Sequence, residues 1–126
     1  MIQFPTSKDI YIEVNGRRVA VAQAYRTRTD RDSRYVEAFG SAEPVGTIGG
    51  RVKHVLELTR VCLTDASISD SIDFHELSGF NVVIVKPDRK VIYSGCEWAS
   101  IDENAALGNT LLESVSIVAS KRMELR

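Results

Sequence analysis

Residues 9–30 read DIYIEVNGRRVAVAQAYRTRTD, and two alternating runs meet there at Asn15-Gly16. Asn-Gly suits the positive φ angles of a two-residue type I′ turn, so the pattern predicts a β-hairpin. The turn sets a register: Val14 opposite Arg17, Glu13 opposite Arg18, Ile12 opposite Val19, Tyr11 opposite Ala20 and Ile10 opposite Val21. That register puts Ile10, Ile12, Val14, Val19 and Val21 on one face, and makes Glu13 and Arg18 a cross-strand ion pair. The second strand runs on through Gln23, Tyr25 and Thr27 on one face and Ala24, Arg26 and Arg28 on the other. A strand that outruns its partner needs another edge to pair with, in its own chain or in a neighbour's.

Beyond the hairpin, residues 29–50 form a charged turn, a short strand-like stretch at 35–39, and then GSAEPVGTIGG. Gly40, Gly46, Gly49, Gly50 and Pro44 argue against regular structure. Yet Tyr35, Val36, Phe39, Val45 and Ile48 are too apolar for a solvated linker. The expectation is a mobile arm at about residues 30–50 that docks onto something.

Residues 51–64, RVKHVLELTRVCLT, alternate as a long strand, with a phase change after Arg60 that suggests a bulge near Thr59-Arg60. In residues 65–79, Ser71 and Asp73 are N-cap candidates, Glu76 stands at capping-box spacing and Gly79 suits a C′ position, predicting one short helix. Residues 80–85 are apolar on both faces and read as a central strand. Pro87-Asp88 turns the chain into an antiparallel partner at 91–98. Residues 100–109 are polar and read as a loop with a helical turn at Ala105, Ala106 and Leu107. Residues 111–125 close the chain as a strand, with Leu111, Val115, Ile117, Ala119 and Met123 facing one way and Ser114, Ser116 and Ser120 the other. The fold class expected is mainly β: one domain over 1–126, an antiparallel sandwich or partly closed barrel with one flanking α-helix.

Composition narrows the chemistry. The chain has 126 residues, 44% hydrophobic and 26% charged, with a net charge of −1. Residues 1–60 hold 10 Lys+Arg against 7 Asp+Glu, and residues 61–126 hold 6 against 10. A basic surface on one copy can therefore meet an acidic surface on another, favouring head-to-tail association. No stretch approaches a membrane span, and residues 1–9, with Pro5 in a short mobile arm, lack a signal pattern, so the chain is expected to be made in the cytoplasm without membrane insertion. Cys62 and Cys96 sit in apolar runs and read as reduced core residues.

Glycines 46, 49 and 50 lack the Lys-Ser/Thr of a phosphate loop and precede a strand, so loop flexibility explains them better. His54 and His75 have no second ligand at metal spacing. No nucleophile elbow or activated cysteine is present, and Asp102-Glu103 reads as a solvated pair. No catalytic, cofactor or metal site is assigned. Arg17, Arg18, Arg26, Arg28, Arg31 and Arg34, with Tyr11, Tyr25 and Tyr35 nearby, raise the alternative of a nucleic-acid-binding β-barrel. Asp9, Glu13, Asp30, Asp32 and Glu37 interleave with them and cancel much of the field, so no specific nucleic-acid binding is expected.

The run IYIEVNGRRVAVAQAYRTRTDRD, followed by YVEAFG, the glycine-rich loop and GGRVKHVLELTRV, resembles the tail tube family of contractile-tailed phages. The similarity is to tube proteins of phages and defective prophages of Gram-positive bacteria. Glu13-Val14-Asn15-Gly16 and residues 21–27 carry it. Residues 10–64 match best, and residues 65–126 match in the order of elements. The resemblance implies a β-sandwich with one flanking helix, and hexameric rings whose inner strands join and which stack into a hollow tube. The implied partners are other copies of the chain and sheath, baseplate or other tail proteins, in a virion tail or tail-like particle. Tyr25, Thr27, Arg28, Phe39, Pro44, Val45 and Ile48 become the candidate subunit-interface residues. The basic ending KRMELR and the compact chain depart from a main tube subunit and suit a tube initiator or baseplate-proximal ring equally.

Overall fold

The computed structural model describes residues 10–20, 22–61, 71–105 and 111–126. Strands β1 (Tyr11–Val14) and β2 (Arg17–Arg18) form the expected hairpin, with Val14 opposite Arg17 and Glu13 opposite Arg18. Asn15 and Gly16 have φ of 49° and 81°, as a type I′ turn requires. The Val19 amide still donates to the Ile12 carbonyl at 2.8 Å. There the hairpin ends. The β1–β2 ladder stops at Glu13–Arg18, Tyr11 pairs on the other edge of β1 with Val85, Val21 lies outside the described residues, and β3 (Ala22–Arg31) joins a different sheet. The Arg18 guanidinium lies 4.3 Å above the Tyr11 ring, so its contact is aromatic and not the ion pair with Glu13 that the register suggested.

The arm is more regular than its glycines implied. β4 (Arg34–Val36) and β5 (Gly46–Ile48) pair antiparallel, with Arg34 opposite Ile48 and Val36 opposite Gly46. β6 (Val52–Val61) then pairs with the whole of β3. Residues 22–61 are thus one long hairpin whose tip is the arm. Its neck is tight: the Asp32 amide donates to the Arg51 carbonyl at 2.9 Å, and a Cβ on Gly50 would strike the Asp32 backbone carbonyl. Glycine permits this close crossing, and strand pairing supplies the order that composition alone did not reveal.

β6 carries no bulge and no phase change. The irregularity lies on β3 between Ala22 and Ala24, and Arg60 points inward with Leu56 and Leu58. An arginine on the core face looks like a flip when side chains are sorted by polarity. Of the stretch expected to hold an α-helix, the described residues 71–79 form one 3-10 turn, Phe74–Glu76, with the Asp73 carboxylate accepting from the His75 amide at 3.1 Å. Cys62 and residues 63–70 lie outside the described residues. Gly79 does adopt a positive φ, 59°. β7 (Phe80–Val85) lies between β1 and β8 as a central strand, but Asn81 is exposed and Val83 half-buried, so only one of its faces is core.

β8 (Lys90–Asn104) is longer than its apolar part, because residues 100–104, expected as a loop, continue as strand. It pairs along one edge with β9 (Leu112–Ala119) and then β10 (Lys121–Leu125), which are one strand bent at Ser120. Gly95, at φ 62°, forms the facing corner, where a Cβ would collide with the Ser120 hydroxyl. Ala106 and Leu107 lie outside the described residues.

This ribbon passes from one sheet to the other and makes the sandwich. The first sheet runs β2-β1-β7-β8-β10, the second β8-β9-β6-β3, every pairing antiparallel, and neither closes into a barrel. Ile12, Val14, Val82, Ile84 and Tyr93 from the first sheet pack against Leu56, Leu58, Val115 and Ile117 from the second. Each such side chain contributes about 1.5–3 kcal/mol on burial. Phe74 and Phe80 close one side in an edge-to-face contact of 6.1 Å. Cys96 is buried, as expected of a core thiol. Its pKa is pushed up to about 11, first by burial and then by the charge of Glu97, against a lowering hydrogen bond from the Val82 backbone.

Candidate assembly interface

The second sheet exposes two long edges. On one side β3 pairs only with β6, so ten residues have one backbone edge unpaired among the described residues. On the other, residues 97–104 of β8 pair, among the described residues, only with β9, because β7 leaves β8 at the Phe80–Cys96 pair. The 3-10 turn flanks the start of this second edge: the His75 and Trp98 rings lie 6.0 Å apart, and the Glu97 carboxylate accepts from the Ser78 hydroxyl and the Gly79 amide at 3.0 Å. The edges of the first sheet are blunter. β2 has two residues, and β10 carries Lys121 and Arg122, with Glu124 bonded to Arg89 at 2.7 Å.

Strand direction makes the two long edges compatible. Four antiparallel strands leave β3 running opposite to β8. The β8 edge of a second copy laid beside β3 would therefore continue the antiparallel alternation without a break. The inward face of this sheet is covered by the first sheet. Its outward face carries Arg26 and Arg28 on β3, Glu57 and Thr59 on β6, Ser114 and Ser116 on β9, and Ser100 and Asp102 on β8. Its middle is polar, with Thr59 and Ser114 hydroxyls 3.3 Å apart, between the facing pairs Val55–Val118 and Val61–Leu112.

Of the residues singled out from the sequence, Tyr25, Thr27 and Arg28 lie on β3. Tyr25 is half-buried and packs against the core; Thr27 and Arg28 are exposed, and Arg28 pairs with Asp30 at 3.0 Å. Tyr25 also lines an apolar groove of about 350 Å³ between residues 10–12 and 22–25. Phe39, Pro44, Val45 and Ile48 lie on the arm and are all exposed, Phe39 completely. Because the arm extends β3 and β6, both groups lie along a single ribbon. The β8 edge was missed, since residues 100–104 offer Ile101 alone as an apolar signal. His54, on β6, is half-buried, 3.1 Å from the Thr29 hydroxyl and edge-on to Tyr93.

One buried polar group supports the sheet from inside. The Arg60 guanidinium donates to the Glu113 carboxylate at 2.9 Å and to the Ile72 carbonyl at 2.7 Å, and lies 4.9 Å from the Phe74 ring. This ties residues 72–74 to β6 and β9. Among the described residues no group of three His, Cys, Asp or Glu side chains is placed to hold a metal ion, and no helix is long and apolar enough to cross a membrane.

No protein-family model and no curated protein sequence matches the chain. Solved structures do. The tail of an empty gene transfer agent particle, computed with C6 symmetry, aligns at TM-score 0.66 and 18% identity over 92% of this chain and 94% of that one. The SPP1 tail tube aligns at 0.69 and 14% identity, over 96% and 78%. The sheath/tube terminator of an extracellular contractile injection system aligns at 0.69 and 11% identity, over the full length of both chains. The sandwich is the fold shared by chains of tail tubes, tube terminators and related tail-like particles.

Proposed function

We propose that this chain is a non-enzymatic structural subunit that assembles into rings, forming or initiating the inner tube of a phage tail or tail-like particle. The observation that carries the reading is the four-stranded sheet with two long, direction-compatible open edges, in a fold shared with tube proteins. Each β3 edge takes the β8 edge of the next copy, so six copies close a barrel of 24 strands, the number six resting on the C6 symmetry of the similar gene transfer agent tail. At about 4.8 Å between strands tilted near 40°, that barrel is about 48 Å across at the backbone. The polar outward face lines the lumen, and the first sheet faces outward toward a sheath or other tail proteins.

The arm joins successive rings. Its Tyr35, Phe39, Val45 and Ile48 are exposed, with no cover among the described residues, and a patch of this kind marks a surface made to be covered. The nucleic-acid-binding alternative rested on the arginines from Arg17 to Arg34 with Tyr11, Tyr25 and Tyr35; against it, Arg28 is paired with Asp30 and Arg18 is seated on the Tyr11 ring. Negative-stain microscopy of the purified protein tests the reading: hollow six-fold rings or tubes are expected, and monomers at every concentration overturn it. Hydrogen exchange at residues 37–45 is expected to slow on stacking; equal protection in rings and tubes removes the arm from the account.

A further inference from the structure

We infer that the charges on the two open edges decide which edges meet, directing β3 onto β8 of a second copy and away from another β3. This rests on the ring reading above and concerns the selectivity of that seam. β3 carries Arg26, Arg28 and Arg31 against Asp30 alone, all exposed. The free half of β8 carries Glu97, Asp102 and Glu103, exposed, with no Lys or Arg. Backbone geometry alone does not discriminate, because an open antiparallel edge pairs equally well with its own two-fold copy. A β3·β3 pair would bring together two edges of net positive charge, and a β8·β8 pair two edges of net negative charge. Like charges directly opposite each other in a ladder are destabilising.

The β3·β8 pair is the combination that joins opposite signs. The faces also agree: Arg26 and Arg28 lie opposite Glu57 and Val55 on the outward face of the sheet, and Asp102 lies opposite Ser114 on that same face. A continuous sheet therefore puts these groups on one side of the seam. A β3·β3 pair leaves two β8 edges of like charge, so it stops at a dimer, whereas heterologous pairing propagates until the ring closes. The edge charges thus act as the device that makes rings rather than dimers, and they leave the fold of the single chain untouched.

Two full-length variants test this. One, Arg26→Glu with Arg28→Glu, makes both edges acidic; the other, Asp102→Lys with Glu103→Lys, makes both edges basic. Circular dichroism checks that each folds. Each alone is expected to need about tenfold more protein than wild type to form rings, by sedimentation and microscopy. Mixed one to one, they are expected to co-assemble into alternating rings near the wild-type concentration, since each edge again meets its opposite. A defect internal to one chain is not repaired by mixing. Wild-type rings with either variant assembling equally well alone, or with folded variants that fail to co-assemble, overturn the inference and leave the ring reading standing. Absence of rings from the wild type overturns the reading and the inference with it.

Discussion

The two ends of the hairpin spanning residues 22–61 share one secondary structure and differ in nearly everything else. At the base, β6 lies between β3 and β9, Leu56, Leu58 and Arg60 are buried, and Tyr25 packs on the core. At the tip, β4 and β5 pair only with each other, and Phe39 is fully exposed. The base holds apolar residues that the chain itself covers. The tip holds apolar residues that stay exposed, without cover among the described residues. Where side chains stay uncovered, the stability of the single chain gains little from them, so the base carries the folding energy, and under the proposed function the tip serves contact between copies.

The largest effect is expected at the base. Glu113→Ala leaves the Arg60 guanidinium buried without its carboxylate, a loss of about 3–5 kcal/mol for a broken buried pair. Urea unfolding measures it, and a loss below 1 kcal/mol would show that residues 72–74 are not held through this group. Next comes the neck. Gly50→Val drives a side chain into the Asp32 carbonyl, with a penalty of about 1–3 kcal/mol for forced overpacking. Exchange of the Asp32 amide is expected to accelerate while amides of the core strands keep their protection; acceleration throughout the sheet would mean that tip and base fold as one unit.

A pH titration sharpens the core side of the contrast. The folded Cys96 pKa of about 11 lies above its ordinary value of 9.0, so the folded state holds the proton longer than the unfolded chain. Its contribution is complete below pH 9 and is lost as pH rises toward 11. Cys96→Ser is expected to flatten the fall in stability across that window, and the wild-type thiol to react with a thiol reagent only on unfolding. The smallest effect belongs to the tip. Phe39→Ser with Val45→Ser is expected to change unfolding stability by no more than about 0.5 kcal/mol, as exposed sites do. The same pair is expected to stop rings stacking into tubes, seen by microscopy. A large loss of monomer stability would erase the distinction between the two ends.

Local chemistry decided much of this molecule. Asn15-Gly16 dictates its turn because few residue pairs tolerate two positive φ angles in succession, and the alternation of Val115, Ile117 and Ala119 with Ser114 and Ser116 dictates which face of β9 is buried. Such signals act between neighbours in sequence, so the chain by itself determines them. The open β3 edge was foreshadowed by a strand longer than its partner. Tertiary structure alone decided the rest. That β3 leaves the hairpin for a second sheet, that Arg60 turns inward to Glu113, that polar residues 100–104 extend as strand and that Gly46–Ile48 pairs with Arg34–Val36 all depend on partners distant in sequence. A backbone hydrogen bond or a buried charge is satisfied by whatever the fold brings beside it, and residue type at one position does not say what that will be.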